Sequence, residues 1–229
     1  MLAHLVVWYL VFLFSITFHE YAHALVARLG GDDTAYQGGH LTLDPTPHVR
    51  RSPFGLLLVP IVSYLRWHWM VGWASVPFDP SWGKQHPRAQ ALMSMAGPFA
   101  NFLLAAIAFS VLKLMLDAGI VVPSGQLQFG EVVKLASAAS ERSPSGALVL
   151  ALDVLLDLNV LLGLFNLLPV PPLDGAGILE GFLPRYLGPI YGRLRGNLMF
   201  ELAGLLVCWQ LFEYVSTPAR IFVLTRLFG

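Results

Sequence analysis

Charge is what this chain is shortest of. Only 12% of its 229 residues are Asp, Glu, Lys or Arg, against 56% hydrophobic, and its mean hydropathy is +0.65. So few polar side chains cannot clothe a water-soluble globule, and the chain reads as an integral membrane protein. Fourteen basic residues balance fourteen acidic ones. No long basic run occurs, so nothing points to nucleic acid. The single cysteine, Cys208, excludes an intrachain disulfide framework. Internal repeats and low-complexity linkers are lacking as well. The first apolar run has no charged start and no small-residue cleavage site, so it is expected to stay on the protein rather than leave as a signal peptide.

That first run, about His4 to Arg28, carries Phe18-His19-Glu20-Tyr21-Ala22-His23 in its second half. On a helix, His19 and His23 lie four apart on one face, where two imidazoles can hold one zinc ion. Glu20 stands beside them, placed to act as general base without being a ligand. Three ionisable side chains within a membrane span are costly unless they serve a function. The same residues also suit a cation or proton path, so a transporter is the alternative reading.

Further along, Asp32 to Arg51 is polar and rich in Gly and Pro, while Gly39-His40-Leu41-Thr42-Leu43-Asp44 alternates as a short strand of a hairpin at the membrane face. Phe54 to Leu65 is apolar but too short to span, is interrupted by Pro60, and is followed by Arg66-Trp67-His68-Trp69. A re-entrant or interfacial segment is expected, with Trp67, Trp69, Trp73 and Trp82 as an interfacial belt. A second span runs from about Ala89 to Leu116 and contains Gly97, Pro98 and Asn101. Asp117 to Gly146 reads as a loop, and about Ala147 to Leu168 as a third span. Gly177 to Arg195 is expected to lie along the interface and Leu198 to Val215 to cross as a fourth span, with the tail from Ala219 too short to do so. The fold class is therefore an all-α integral membrane protein, with about four transmembrane helices, a re-entrant segment and a short membrane-associated β-hairpin. Residues 1–229 are expected to form one membrane-embedded domain.

Catalytic zinc usually takes three protein ligands. Asp174, held behind Pro169-Val170-Pro171-Pro172 and followed by Gly175, is the best candidate for the third. Alone it would read as a cap on the following helix. His48, in the loop after the motif helix, is the other residue placed to approach a metal. His4, His40, His48, His68 and His86 are expected to be solvated or interfacial.

Three elements, His19-Glu20-x-x-His23, Gly97-Pro98-x-x-Asn101 and Asn166-x-x-Pro169-x-x-x-Leu173-Asp174-Gly175, occur in that order. Together they resemble the site-2 protease family of intramembrane zinc metalloproteases. The resemblance covers the whole catalytic core, departing at Ala176, where many members have a second Gly. It implies one Zn2+ held by His19, His23 and Asp174, with Glu20 as base and Asn166, Asn101 and Gly97 as supporting residues. It also implies transmembrane protein substrates in the lipid bilayer. The PDZ or CBS domains of many relatives have no room here, so a minimal, domainless branch is expected.

His19, His23 and Asp174 can share one metal only if the first and third spans exit on one side, which requires Phe54 to Leu65 to turn back. The motif side then carries Arg28, Arg50, Arg51, Arg66, Lys84, Arg88, Arg185, Arg193 and Arg195, and the other side Lys113, Lys134, Arg142, Arg220 and Arg226. Nine of the fourteen thus lie on the motif side, which places the active site toward the cytoplasm and Met1 outside. Finally, Thr42 and Leu43 are either an exposed strand edge onto which an extended substrate pairs, or part of a hairpin that only packs over the site.

Overall fold

A computed structural model describes residues 2–125, 130–137, 143–194 and 197–229. Met1, Arg142 and Arg195, which enter the orientation argument above, lie outside the described residues. Helix α1 (Leu2–Leu29) is followed by α2 (Thr34–Gln37) and α3 (Pro45–Arg51), then by a π-helical turn (Phe54–Leu58) running into α4 (Val59–Trp67). Next come α5 (Pro80–Gln85), α6 (Pro87–Asp117), strands β1 (Val121–Pro123) and β2 (Val133–Leu135), α7 (Pro144–Asn166), α8 (Asp174–Phe182), α9 (Pro184–Leu194) and α10 (Leu198–Phe228). Among the described residues, α1, α6 and α7 are long and apolar enough to cross a membrane. The protein is an integral membrane protein built on these helices, with α6 at the centre packing on α1, α7 and α8.

The apolar stretch after α3 turns back, as the shared-metal argument requires. Phe54–Trp67 is helical for 14 residues, about 21 Å at 1.5 Å per residue, short of the ~30 Å hydrocarbon thickness. The chain then returns without regular secondary structure, and Trp73 donates its backbone N–H to the Gly55 carbonyl at 3.3 Å. A Cβ on Gly55 would lie 2.2 Å from the Trp73 carbonyl oxygen, so only a glycine lets the two limbs touch here. Beyond the return, Asp79 donates its N–H to Asp32 Oδ2 at 2.8 Å and Trp82 Nε1 donates to the Gly30 carbonyl at 2.9 Å. The end of α1 and the start of α6 are thereby tied to the same side. Trp8, Phe12 and Ile16 of α1 bury the re-entrant limb through Leu56 and Tyr64, together with Val154 and Leu158 of α7.

Two expectations are corrected. Residues 41–43 are a bend rather than a strand, because Asp44 commits the chain to a helix: its Oδ1 accepts from Thr46 N at 2.9 Å as the N-cap of α3, with Pro45 in the first turn. The β-hairpin lies instead in the stretch read as a loop, with Val121 opposite Leu135 and Pro123 opposite Val133. It is buried, since Val121, Val132 and Val133 pack with Ala108 and Leu112 of α6, Leu156 of α7 and Leu227 of α10. Non-helical backbone in such a place needs partners. Asp153 Oδ2 accepts from Val132 N and Val133 N at 2.7 and 3.0 Å, and Asp157 Oδ2 accepts from Gly130 N at 2.9 Å. Arg220 on α10 pairs with Asp157 at 3.1 Å.

The segment expected as the fourth span is the first part of α10. The tail from Ala219 does not stand apart but continues that helix through Pro218. Proline removes one helical hydrogen bond, whereas breaking the helix in apolar surroundings would expose several backbone groups.

Candidate metal centre

His19 and His23 are both buried on the face of α1 that meets α6, where their rings face Met93 and Asn101. Their Nε2 atoms are 2.9 Å apart. Asp174, the first residue of α8, reaches both: Oδ2 lies 3.2 Å from His19 Nε2 and Oδ1 lies 3.3 Å from His23 Nε2. Each residue offers one ligand atom, and these atoms all lie within 4.8 Å of one another. Glu20 is buried next to them and takes no part in the three-donor cluster.

The outer nitrogens decide what the inner ones can do. His23 Nδ1 is 2.7 Å from the Met93 carbonyl oxygen, and His19 Nδ1 is 2.6 Å from Asn101 Oδ1. A carbonyl oxygen only accepts, so both Nδ1 atoms carry the proton, and in the neutral ring each Nε2 keeps its lone pair. Two such nitrogens facing a carboxylate need a cation or protons between them. Asp174 Oδ2 is buried and makes no hydrogen bond, despite its nearness to His19. This donor set, two imidazoles and one carboxylate with an orphaned oxygen, fits a divalent metal ion.

Gly97 lets α6 approach this closely. A Cβ there would sit 2.3 Å from His23 Nε2 and 2.5 Å from His19 Nε2. Gly175 does the same for the start of α8, where a Cβ would lie 2.2 Å from the Leu167 carbonyl oxygen, and Gly177 presses on Ser94 of α6. Small residues at these points deliver Asp174 to the histidines.

The structure thus gathers His19, His23, Asp174, Gly97 and Asn101 with Glu20 alongside. Asn166 ends α7, and its Nδ2 donates to the Leu162 carbonyl at 3.0 Å. Thr42 and Leu43 lie in the bend before α3, with Leu43 exposed. His48 does not join the metal cluster. It is fully buried against His40, ring centroids 5.6 Å apart, with Nε2 3.2 Å from the Thr42 carbonyl oxygen. Its neighbour His40 is buried too, so both depart from the solvated or interfacial place expected of them. Asn159 and the Met93 carbonyl were missed by sequence reasoning. The signal for Asn159 was present: an amide in the middle of an apolar span is costly unless it has a partner.

These features define an integral membrane protein with a buried candidate metal centre, its donors on the first span and the turn after the third span. The chain belongs to Peptidase family M50, whose family model matches residues 7–207. It is 37% identical over 171 residues to YwhC of Bacillus subtilis, which is named as a zinc metalloprotease, covering 74% of this chain and 66% of that protein. It is 27% identical over 184 residues to Rip2 of Mycolicibacterium smegmatis, similarly named, covering 75% of this chain and 55% of that one. The matched regions thus span 66% and 55% of these two relatives' lengths. No solved structure gives a significant match.

Proposed function

We propose that this protein is an intramembrane zinc metalloprotease that hydrolyses peptide bonds within or near the transmembrane helices of membrane-protein substrates. The observation that carries the reading is the buried His19–His23–Asp174 donor set with Glu20 beside it on the same helix. His19, His23 and Asp174 would hold one Zn2+. When bound, the ion supplies Lewis acidity, which polarises a carbonyl oxygen and lowers the pKa of coordinated water to about 7. Glu20 takes a proton from the attacking water as its oxygen adds to the scissile carbonyl carbon. The same carboxyl group then delivers that proton to the amide nitrogen as the C–N bond breaks, leaving an acid and an amine. Asn101 and Gly97 support the ligands, and Asn166 stiffens the end of α7 ahead of the turn bearing Asp174.

Thr42 and Leu43, in the bend before α3, are proposed as substrate-binding or supporting residues. The strand-edge version of that role loses its support, since 41–43 is a bend and the Thr42 carbonyl faces His48. The active site is proposed to face the cytoplasm with the N-terminus outside, on the excess of basic residues on the motif side. Residues 1–229 are proposed to act as one membrane-embedded domain.

The test is to incubate the purified protein, in detergent or vesicles, with single-span substrates. Stoichiometric zinc, cleavage that ends on chelation, and Glu20→Gln protein that keeps zinc without turnover are the expected results. Metal-dependent ion flux without cleavage would replace the protease by a transporter.

A further inference from the structure

The two histidines are oriented by different means. His23 Nδ1 faces a main-chain carbonyl, which cannot turn round. His19 Nδ1 faces Asn101 Oδ1, one end of a side-chain amide whose oxygen and nitrogen are nearly alike in shape. If Asn101 presented its nitrogen instead, His19 Nδ1 would have to accept, the proton would move to Nε2, and the lone pair needed for a metal would be lost.

What keeps the Asn101 amide the right way round is Asn159, on the facing side of α7. Asn101 Nδ2 donates to Asn159 Oδ1 at 2.8 Å. Asn159 cannot reverse either, because its own Nδ2 lies 2.8 Å from the Leu155 carbonyl oxygen, a fixed acceptor, and 2.8 Å from Ser15 Oγ on α1. Ser15, Asn101 and Asn159 are all 0% exposed, so no bulk water can substitute for a missing partner. The polarity of one main-chain carbonyl in α7 is thus passed through two amides to His19.

We propose that Asn159 is a positioning residue for the metal centre, setting the tautomer of His19 through Asn101 without touching metal or substrate. The proposal rests on the metalloprotease reading above. It predicts that Asn159→Leu, similar in size but without an acceptor for Asn101, weakens zinc binding about 10-fold, at the low end of the 10- to 100-fold effects known for partners of metal ligands. Asn159→Asp should be nearly silent. In this apolar site the carboxyl group stays protonated, accepting from Asn101 with one oxygen and donating to Leu155 with the other.

The experiment is a zinc competition titration against a chelator of known affinity, on full-length protein in detergent, with folding checked by circular dichroism. It is repeated in an Asn101→Ala background, where Asn159→Leu should cause no further loss because the residue through which it acts is gone. Unchanged zinc affinity in Asn159→Leu would overturn the proposal. So would a loss of equal size in the Asn101→Ala background, or an Asn159→Asp protein as weak as Asn159→Leu, since either marks a general packing defect. Should Asn159→Leu fail to fold, Asn159→Ala takes its place with the same outcomes. A wild-type protein that binds no zinc would refute the metalloprotease reading itself, which the variants alone cannot do.

Discussion

Replacing Gly97 by alanine adds one methyl group to a helix that otherwise favours it. In a helix interior Ala is preferred to Gly by about 1 kcal/mol, so on propensity alone Gly97→Ala should stabilise the protein. The site reverses that expectation only when metal is bound. The new Cβ would lie 2.3 Å from His23 Nε2 and 2.5 Å from both Cε1 and Nε2 of His19. Even a contact of about 3.0 Å, itself far inside normal van der Waals separation, requires shifts of roughly 0.7 and 0.5 Å. Metal-ligand distances tolerate about 0.2 Å. Without metal the imidazoles can swing aside; with metal they cannot, and the cost should resemble a core overpacking of about 1–3 kcal/mol.

Gly97→Ala should therefore bind zinc roughly 5- to 150-fold more weakly, those energies converted at 1.4 kcal/mol per tenfold. The melting temperature of the metal-free protein should stay level or rise. The paired assay is a zinc competition titration and thermal melting with and without zinc, where the added stability grows as RT ln(1 + [Zn]/Kd). Wild-type zinc affinity in Gly97→Ala would refute the reasoning. An equal loss of stability with and without metal would locate the clash elsewhere.

Asp174→Ala and His23→Ala should each lower zinc occupancy at a fixed free-zinc level, measured by metal analysis after gel filtration; full occupancy in Asp174→Ala would mean that the third ligand is another residue. In a Cys208→Ser background, single cysteines at Ser52 and the exposed Lys84 should be labelled by an impermeant thiol reagent from the same membrane face, and labelling from opposite faces would make Phe54–Trp67 a crossing segment. His40 should give metal-free protein an acid-sensitive loop. Burial, aided by nearby His48 and Arg51, holds its pKa below the ordinary 6.5, so the unfolded chain binds the extra proton more readily. That contribution to stability is complete above about pH 6.5 and is lost as pH falls through the lowered value. Melting of chelator-treated protein between pH 7.5 and 5 should show the decline, and His40→Gln should flatten it; an unchanged slope in His40→Gln would assign the pH dependence to other groups.

The parts of the site that were legible beforehand are those whose chemistry has a fixed sequence spacing. His19 and His23 share a face by helical periodicity alone. The pairing of Asp174 with them required only that two spans exit on one side, and that constraint also forced the re-entrant reading of the stretch from Phe54. The contact of Gly55 with Trp73 now gives that turn a physical basis. Thr42 and Leu43 were harder, because an alternating five-residue stretch carries a weak strand signal. The Asp44-Pro45 pair was already a helix start, and the cap outweighed the alternation.

The hairpin shows a different limit. Its strands are three residues each, too short for period-two alternation to register, and what stabilises them lies elsewhere in the chain. Asp153 and Asp157 sit four apart in an apolar span and therefore on one face. By the rule applied to His19 and Glu20, ionisable groups at such depth must serve something. Here they accept hydrogen bonds from the backbone N–H groups of Gly130, Val132 and Val133, while Arg220 pairs with Asp157. Two such pairs in one chain, one of histidines and one of aspartates, announce themselves by the same expense. Only the residue type distinguishes them: imidazoles present lone pairs suited to a metal, whereas the oxygens of a carboxyl group can receive several backbone donors at once. Depth and spacing therefore reveal that a polar cluster exists, and the chemistry of its donors tells whether it holds an ion or a stretch of chain.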